Sequence, residues 1–268
     1  TAYQNGEVDA IGGGYDADLP PSAMAQIMAD PELKKQLIAW PNFITYYLYF
    51  DTWNPPFDDL LVRQAFSHAV DRDLLVEGPL KYQAVAAYTM NPPSFPGESV
   101  EELKSVQAYD PELAASLLEQ AGYPGGQGFP ELTLYTRGAE PALLSAAEAI
   151  AAMLGENLGI KVEIQDLEQS IYMESMYKQK SEKGGDFVFG LVPYEFDFVD
   201  GSNLLSVWGG CETEGAGLSE MPGRHTWYNQ EYNKLLCDAG VIFGDEAQRN
   251  DLYRQAERIL IEDVALVP

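Results

Sequence analysis

Between residues 132 and 192 the chain reads Leu132-Thr-Leu-Tyr-Thr136, Ile160-Lys-Val-Glu-Ile164 and Phe187-Val-Phe-Gly-Leu-Val192, separated by the longer runs 141–157 and 169–180. The three short segments are apolar, alternating or β-branched, as strands are. The run from Pro141 is rich in alanine, and Leu144, Ala147, Ile150, Ala151 and Leu154 recur at helical spacing. Gly159 stops it. The run from Gln169 is amphipathic in the same way. Strand, helix, strand, helix, strand in that order requires crossover connections and hence neighbouring parallel strands. The fold class is therefore α/β, with a mixed, mainly parallel sheet flanked by helices.

Upstream, Asp110-Pro111-Glu112 opens a helix with a cap, a proline in the first turn and an acid at the positive dipole end. Leu113, Leu117 and Leu118 form its apolar face and Gly122 ends it. Phe43-Ile-Thr-Tyr-Tyr-Leu-Tyr-Phe50 is the strongest strand in the chain, broken by Asn54-Pro55-Pro56-Phe57. Asp58 or Asp59 then caps a helix through Leu75 that buries Val62, Ala65, Phe66, Ala69 and Val70. Residues 78–97 read as a proline-rich loop laid over the surface. Residues 20–40 are helical and polar, with Asp30-Pro31 starting a second helix. At the beginning, a helix end passes through Asn5-Gly6 into a short strand, 8–11. Gly12-Gly13-Gly14 follows as a hinge or turn, since no Lys-Ser/Thr pair follows to make a phosphate loop. Two helices, 231–242 and 246–262, close the chain. With no internal repeat, residues 1–268 read as a single α/β domain.

Forty-two acidic residues against 16 basic ones give a net charge of −26. Such a surface repels phosphate backbones, and no basic cluster makes a local exception, so nucleic acid is not an expected partner. No apolar run is long enough to cross a membrane as a helix. The two cysteines, Cys211 and Cys237, are too few for a structural zinc site. They read either as a disulfide closing a loop over Trp227, as an oxidising compartment would allow, or as two thiols, one of them inside a helix.

Several segments, in order, resemble family 5 of the extracellular solute-binding proteins, the peptide-, dipeptide- and nickel-binding proteins that serve ABC importers. They are Tyr3-Gln-Asn-Gly-Glu-Val-Asp-Ala-Ile11, Pro56-Phe-Asp-Asp59 with Val62-Arg-Gln-Ala-Phe-Ser-His-Ala-Val-Asp-Arg72, Tyr109-Asp-Pro-Glu-Leu-Ala with Leu117-Leu-Glu-Gln-Ala-Gly-Tyr-Pro124, Leu158-Gly-Ile-Lys-Val162, and residues 249–268. The resemblance implies one lobe of a two-lobed periplasmic-binding-protein-like fold. Residues 1–14 would be a hinge-proximal segment from the other lobe, and the chain would be a second lobe excised from a protein about twice as long. It further implies an extracytoplasmic monomer, periplasmic or held at the cell surface as a lipoprotein, that binds an oligopeptide or similar small cationic solute and delivers it to an ABC permease in the membrane.

The same resemblance directs attention to Tyr194-Glu-Phe-Asp197-Phe-Val-Asp200-Gly201-Ser-Asn203. In peptide binders the similar stretch carries a Trp, an Asp that meets the ligand ammonium, and an Asp-Pro. Here Asp197 and Asp200 keep the carboxylates, Tyr194 replaces the Trp and Gly201 the Pro. Smaller departures are Asp51 where Asn is usual and Leu61 where a basic or polar residue is usual. Asp197 follows strand 187–192, at the carboxyl end where open α/β sheets place ligands. Tyr194, Phe196 and Phe198 can stack on a peptide or cup a cation, and Asp200 and Asn203 complete the stretch. Arg137, ending strand 132–136 on the same rim, either holds a ligand carboxylate or pairs with Glu140. Trp208 and Trp227 either line the pocket or are core. Arg63, Asp71 and Arg72 read as structural ion pairs and caps.

An enzyme finds less support. Glu195, Asp197 and Asp200 lie in one loop, without the defined separation across a substrate that a glycosidase needs. His68 and His225 are the only histidines, and neither belongs to a nucleophile motif. No catalytic residue, metal or cofactor is assigned. The alternatives are the same scaffold holding a metal chelate, an opine or an oligosaccharide, or an isolated lobe that binds a protein.

Overall fold

The computed structural model describes residues 2–12, 19, 21–38, 42–138, 141–182, 187–214, 217 and 220–268. Its strands are β1 (Ile44–Phe50), β2 (Leu132–Arg137), β3 (Val162–Leu167), β4 (Phe189–Glu195) and β5 (Leu266–Val267). Its helices are α1 (Pro21–Ala29), α2 (Pro31–Gln36), α3 (Leu60–Ala69), α4 (Arg72–Glu77), α5 (Val100–Leu103), α6 (Pro111–Gln120), α7 (Pro141–Leu158), α8 (Gln169–Glu182), α9 (Ser202–Leu205), α10 (Gln230–Gly240) and α11 (Glu246–Glu262).

The strands form one sheet in the order β3-β2-β4-β1-β5. β2 pairs in parallel with β3 and β4, whereas β1 is antiparallel to β4 and to β5. Four of the five strands thus run one way, as the alternation of strand and helix requires. β3 forms one edge of the sheet, and its Glu163, Gln165 and Asp166 are exposed.

Period-two alternation divides the core between the two faces of the sheet. Leu48 and Phe50 of β1, Leu132 and Leu134 of β2 and Phe189 and Leu191 of β4 pack under α3, α6 and α7. Tyr47, Tyr49 and Val192 face the other way, against Tyr172 and Met176 of α8 and the buried sides of α9, α10 and α11. Each large apolar side chain so buried contributes about 1.5–3 kcal/mol. Gly190 stands opposite Tyr49 in the ladder because a Cβ there would lie 2.5 Å from the tyrosine ring.

Local capping behaves as the sequence requires. Asp30, Asp59 and Asp110 each accept backbone N–H groups of the helix they precede. The structure differs from the sequence reading elsewhere. The helix expected through Leu75 is two helices, because Val70 is extended and Asp71 caps α4 through the Leu74 N–H at 3.0 Å. The Ala69 carbonyl at the break is taken by Asn157 at 2.8 Å. The strand expected at 160–164 starts at Val162, because Ile160 instead closes the end of α7, where its N–H reaches the Leu154 carbonyl. The strand expected at 187–192 runs later, through Glu195, and takes Tyr194 into the sheet. Residues 8–11 form no strand, and Val8 and Ile11 are exposed. Gly13 and Gly14 of the glycine run lie outside the described residues.

The apolar faces are also rotated slightly. α7 buries Leu143, Ala146, Ala147, Ile150, Met153 and Leu154, leaving Leu144 and Ala151 half-buried. α6 buries Ala114 and Leu118, while Leu113 is exposed. The loop expected over the surface is partly core: Thr89, Met90, Asn91 and Phe95 are buried. Glu257 of α11 accepts the Asn91 N–H at 2.7 Å and the Ser99 hydroxyl, while Thr45 donates to the Met90 carbonyl at 2.9 Å. Arg63 and Arg72 are structural. Arg63 donates to the carbonyls of Phe57, Asp263 and Val264 and pairs with Asp263 at 3.2 Å; Arg72 donates to those of Pro268 and Gln107. Cys211 and Cys237 form a disulfide, so the reading with two thiols is corrected.

Candidate functional site

β4 carries Tyr194 to the rim on the face shared with α8 and α10, and the chain turns there through residues 196–201 into the short α9. Three residues of the predicted stretch converge. The Tyr194 hydroxyl donates to Asp197 Oδ2 at 2.9 Å. Asn203, itself buried, accepts the Asp197 N–H at 2.9 Å through Oδ1 and brings Nδ2 to 3.5 Å from Asp197 Oδ2. The result is a solvent-facing carboxylate whose position is fixed by a phenol and an amide. An oriented carboxylate with remaining acceptor capacity pairs strongly with an ammonium group. Partial burial and the bond to Asp197 raise the Tyr194 phenol above its ordinary pKa, against the opposing charge of Arg224. Tyr194 therefore stays a donor near neutral pH.

The other predicted residues take different places. Asp200 is turned away from Asp197. It accepts from Ser202 N and Oγ at 3.0 and 2.7 Å and pairs with Arg249 at 3.1 Å. Burial opposes its charge, but the bonds to Ser202 and Tyr253 and the nearby Arg249 outweigh burial and hold the carboxyl below its ordinary value. Phe196 packs on Phe43 and Phe95 with ring centroids 5.5 and 6.1 Å away, whereas Phe198 is exposed. Trp208 is core: it is 2% exposed, with its ring 4.3 Å from that of His225. Trp227 is buried as well, and its Nε1 donates to Asp263.

Arg137 ends β2, which lies beside β4, so it stands on the same rim. Its charge acts on the buried phenols of Tyr47 and Tyr172, and Glu140, its alternative partner, lies outside the described residues. His225 is buried, hydrogen-bonded to Tyr47 at 3.0 Å, and burial lowers its pKa to about 3. Among the described residues no group of three or more His, Cys, Asp or Glu side chains is placed to hold a metal ion.

Two residues at the site carry no signal in the sequence. Arg224 lies over the Tyr194 ring, Cζ to centroid 4.7 Å, from a segment, Gly223-Arg224-His225-Thr226, that matches no motif. Tyr177 of α8 is exposed and lies near the Tyr194 phenol. Both reach Tyr194 only through the tertiary fold.

A sheet covered on both faces, with an acid held at the carboxyl ends of its parallel strands, places that acid where open α/β sheets bind ligands. The family model for the middle region of the bacterial extracellular solute-binding proteins, family 5, matches residues 1–216, and the chain belongs to that family. Di/tripeptide-binding protein 1 of Pseudomonas aeruginosa is 29% identical over 92% of this chain and 43% of its own length. The probable deoxycholate-binding periplasmic protein YgiS of Escherichia coli is 27% identical over 99% of this chain and 45% of its own. The crystal structure of the oligopeptide-binding protein OppAIV of Borrelia burgdorferi superimposes with a TM-score of 0.75 at 25% identity, over 99% of this chain and 48% of that one. The chain therefore spans somewhat under half the length of these relatives, which are named as binding proteins and not as enzymes.

Proposed function

We propose that the protein is the solute-binding component of an ABC importer, and that this chain forms one wall of its ligand cleft. The observation that carries this reading is the exposed Asp197 carboxylate, oriented by Tyr194 and Asn203 at the carboxyl rim of β4. An oligopeptide or similar small solute places its ammonium there. Tyr194 and Phe198 offer aromatic surface beside it, and Arg137 stands on the same rim. The opposite wall comes from a second lobe, with residues 1–14 at the hinge. Solute favours the closed state because only there do both walls touch it.

The name of the Pseudomonas relative supports a peptide. That of the Escherichia relative supports a second reading, a non-peptide solute on the same scaffold. The disulfide supports an extracytoplasmic address, periplasmic or at the cell surface, where the loaded protein meets a membrane permease. An NMR amide-shift titration with pools of oligopeptides, and with deoxycholate as comparator, tests the assignment. Saturable shifts at residues 194–203 with peptides, abolished by Asp197→Ala, are expected. Shifts there with deoxycholate alone would replace the peptide by the second reading.

A further inference from the structure

Arg224 has no acid as partner among the described residues, unlike three other arginines of the chain. Arg63 pairs with Asp263, Arg249 with Asp200 and Arg258 with Glu102. Among the described residues no carboxylate pairs with the Arg224 guanidinium and no side chain hydrogen-bonds to it; its contact is the face of Tyr194.

Its backbone is fixed on both sides. The Arg224 N–H donates to the Val207 carbonyl at 2.6 Å. Lys180 of α8, itself buried, donates to the carbonyls of Met221, at 2.8 Å, and Gly223. His225 stacks on Tyr49 at 4.5 Å and packs on Trp208. Gly223 has φ +96°, and a Cβ there would lie 2.6 Å from the Trp208 backbone. The segment is therefore clamped, and only the side chain of Arg224 extends from it over Tyr194. One phenol thus carries Asp197 on its hydroxyl and a guanidinium on its ring.

An ammonium alone at Asp197 meets a field partly offset by this neighbouring cation, whereas a ligand carrying both charges satisfies both. A guanidinium stacked on a ring keeps its N–H edges available for a bidentate carboxylate pair. We propose, resting on the peptide reading above, that Arg224 is a specificity-determining residue that selects solutes with a carboxylate close to the ammonium bound by Asp197. That carboxylate is either the C-terminus of a dipeptide or the side chain of an acidic first residue.

Calorimetric titration of the protein, in the full length its gene encodes, decides the matter. The probes are alanine peptides of two to five residues as free acids and as amides, and the same amides beginning with Glu. Ala-Ala is expected to bind about tenfold or more tightly than its amide, or the Glu-initiated amides to exceed the Ala-initiated ones by a similar factor, the gain of a charge-assisted bond. The first pattern identifies the terminal carboxylate as the source and the second the side chain. Arg224→Met, which keeps a stem against Tyr194, is expected to shrink either gap to about twofold or less, and Arg224→Lys to keep part of it. Peptide binding with no gap in the wild type, or with a gap that survives Arg224→Met, overturns the role of Arg224 and leaves the peptide reading standing. Binding of none of the probes overturns both.

Discussion

The carboxylate of Glu257 receives the backbone N–H of Asn91 at 2.7 Å across 166 residues of sequence. Both groups are fully buried, and Asn91 in turn donates from Nδ2 to the Gly201 carbonyl at 3.3 Å. The site loop, the long loop after α4 and the last helix are thus joined through one acid.

Burial pushes the Glu257 carboxyl up to about 7, with the nearby Glu98 adding to the rise against the bonds from Ser99 and Asn91. The folded state therefore holds this proton more tightly than the unfolded chain. The stability that Glu257 contributes is fully present below its unfolded value near 4.3 and falls as pH rises to about 7, by on the order of 3 kcal/mol. Glu257→Gln should flatten the melting temperature between pH 5 and 8 relative to wild type. Parallel profiles for the two proteins would remove Glu257 as the cause.

Tyr194→Phe keeps the ring under Arg224 and deletes the donor to Asp197. Peptide affinity should fall by about three- to tenfold, the range of one hydrogen bond, with unfolding stability within about 0.5 kcal/mol of wild type. An unchanged affinity would mean that Asn203 alone orients the carboxylate.

Gly190→Ala puts a methyl into the Tyr49 ring, whose nearest atom would be 2.5 Å away. Strand β4 cannot shift without disturbing both its neighbours. A loss of about 1–3 kcal/mol in denaturant unfolding is expected, and Tyr49→Ala in the same chain should recover part of it. Full additivity of the two losses would contradict the contact.

Replacing Cys211 and Cys237 together by serine opens a loop whose ends lie 26 residues apart. A loss of about 3 kcal/mol is expected from the unfolded chain's regained freedom, read as a lower denaturation midpoint that matches wild type under reducing conditions. A midpoint unchanged under oxidising conditions would show that α10 holds its place without the link.

Where the sequence was readable, its signals were local. Asp30, Asp59 and Asp110 cap helices through their own neighbours, and the 132–192 alternation of periods places β2, α7, β3, α8 and β4 in the right order. Tyr194, Asp197 and Asn203 lie within ten residues, so a resemblance confined to one stretch sufficed to group them. Where it failed, the deciding partner was distant. The break at Val70 coincides with an Asn157 bond 88 residues away, and the loop through Asn91 goes inward because an acid on α11 accepts its N–H. Asp200 looks like a ligand residue in sequence and is held by Arg249, while Arg224 looks like nothing and lies on the site. No periodicity encodes either outcome.

Among the described residues, β3 leaves one edge of the sheet unpaired, while β5 lies at the other. An unpaired edge is a template on which another chain can add a strand. Along β3, Glu163 and Gln165 are exposed on one face of the sheet, and Asp166, on the other, accepts a hydrogen bond from Thr136 of β2 at 2.6 Å. A strand added to this sheet along β3 would lie beside the side chains of Glu163 and Gln165, which favour a basic or polar newcomer over an acidic one.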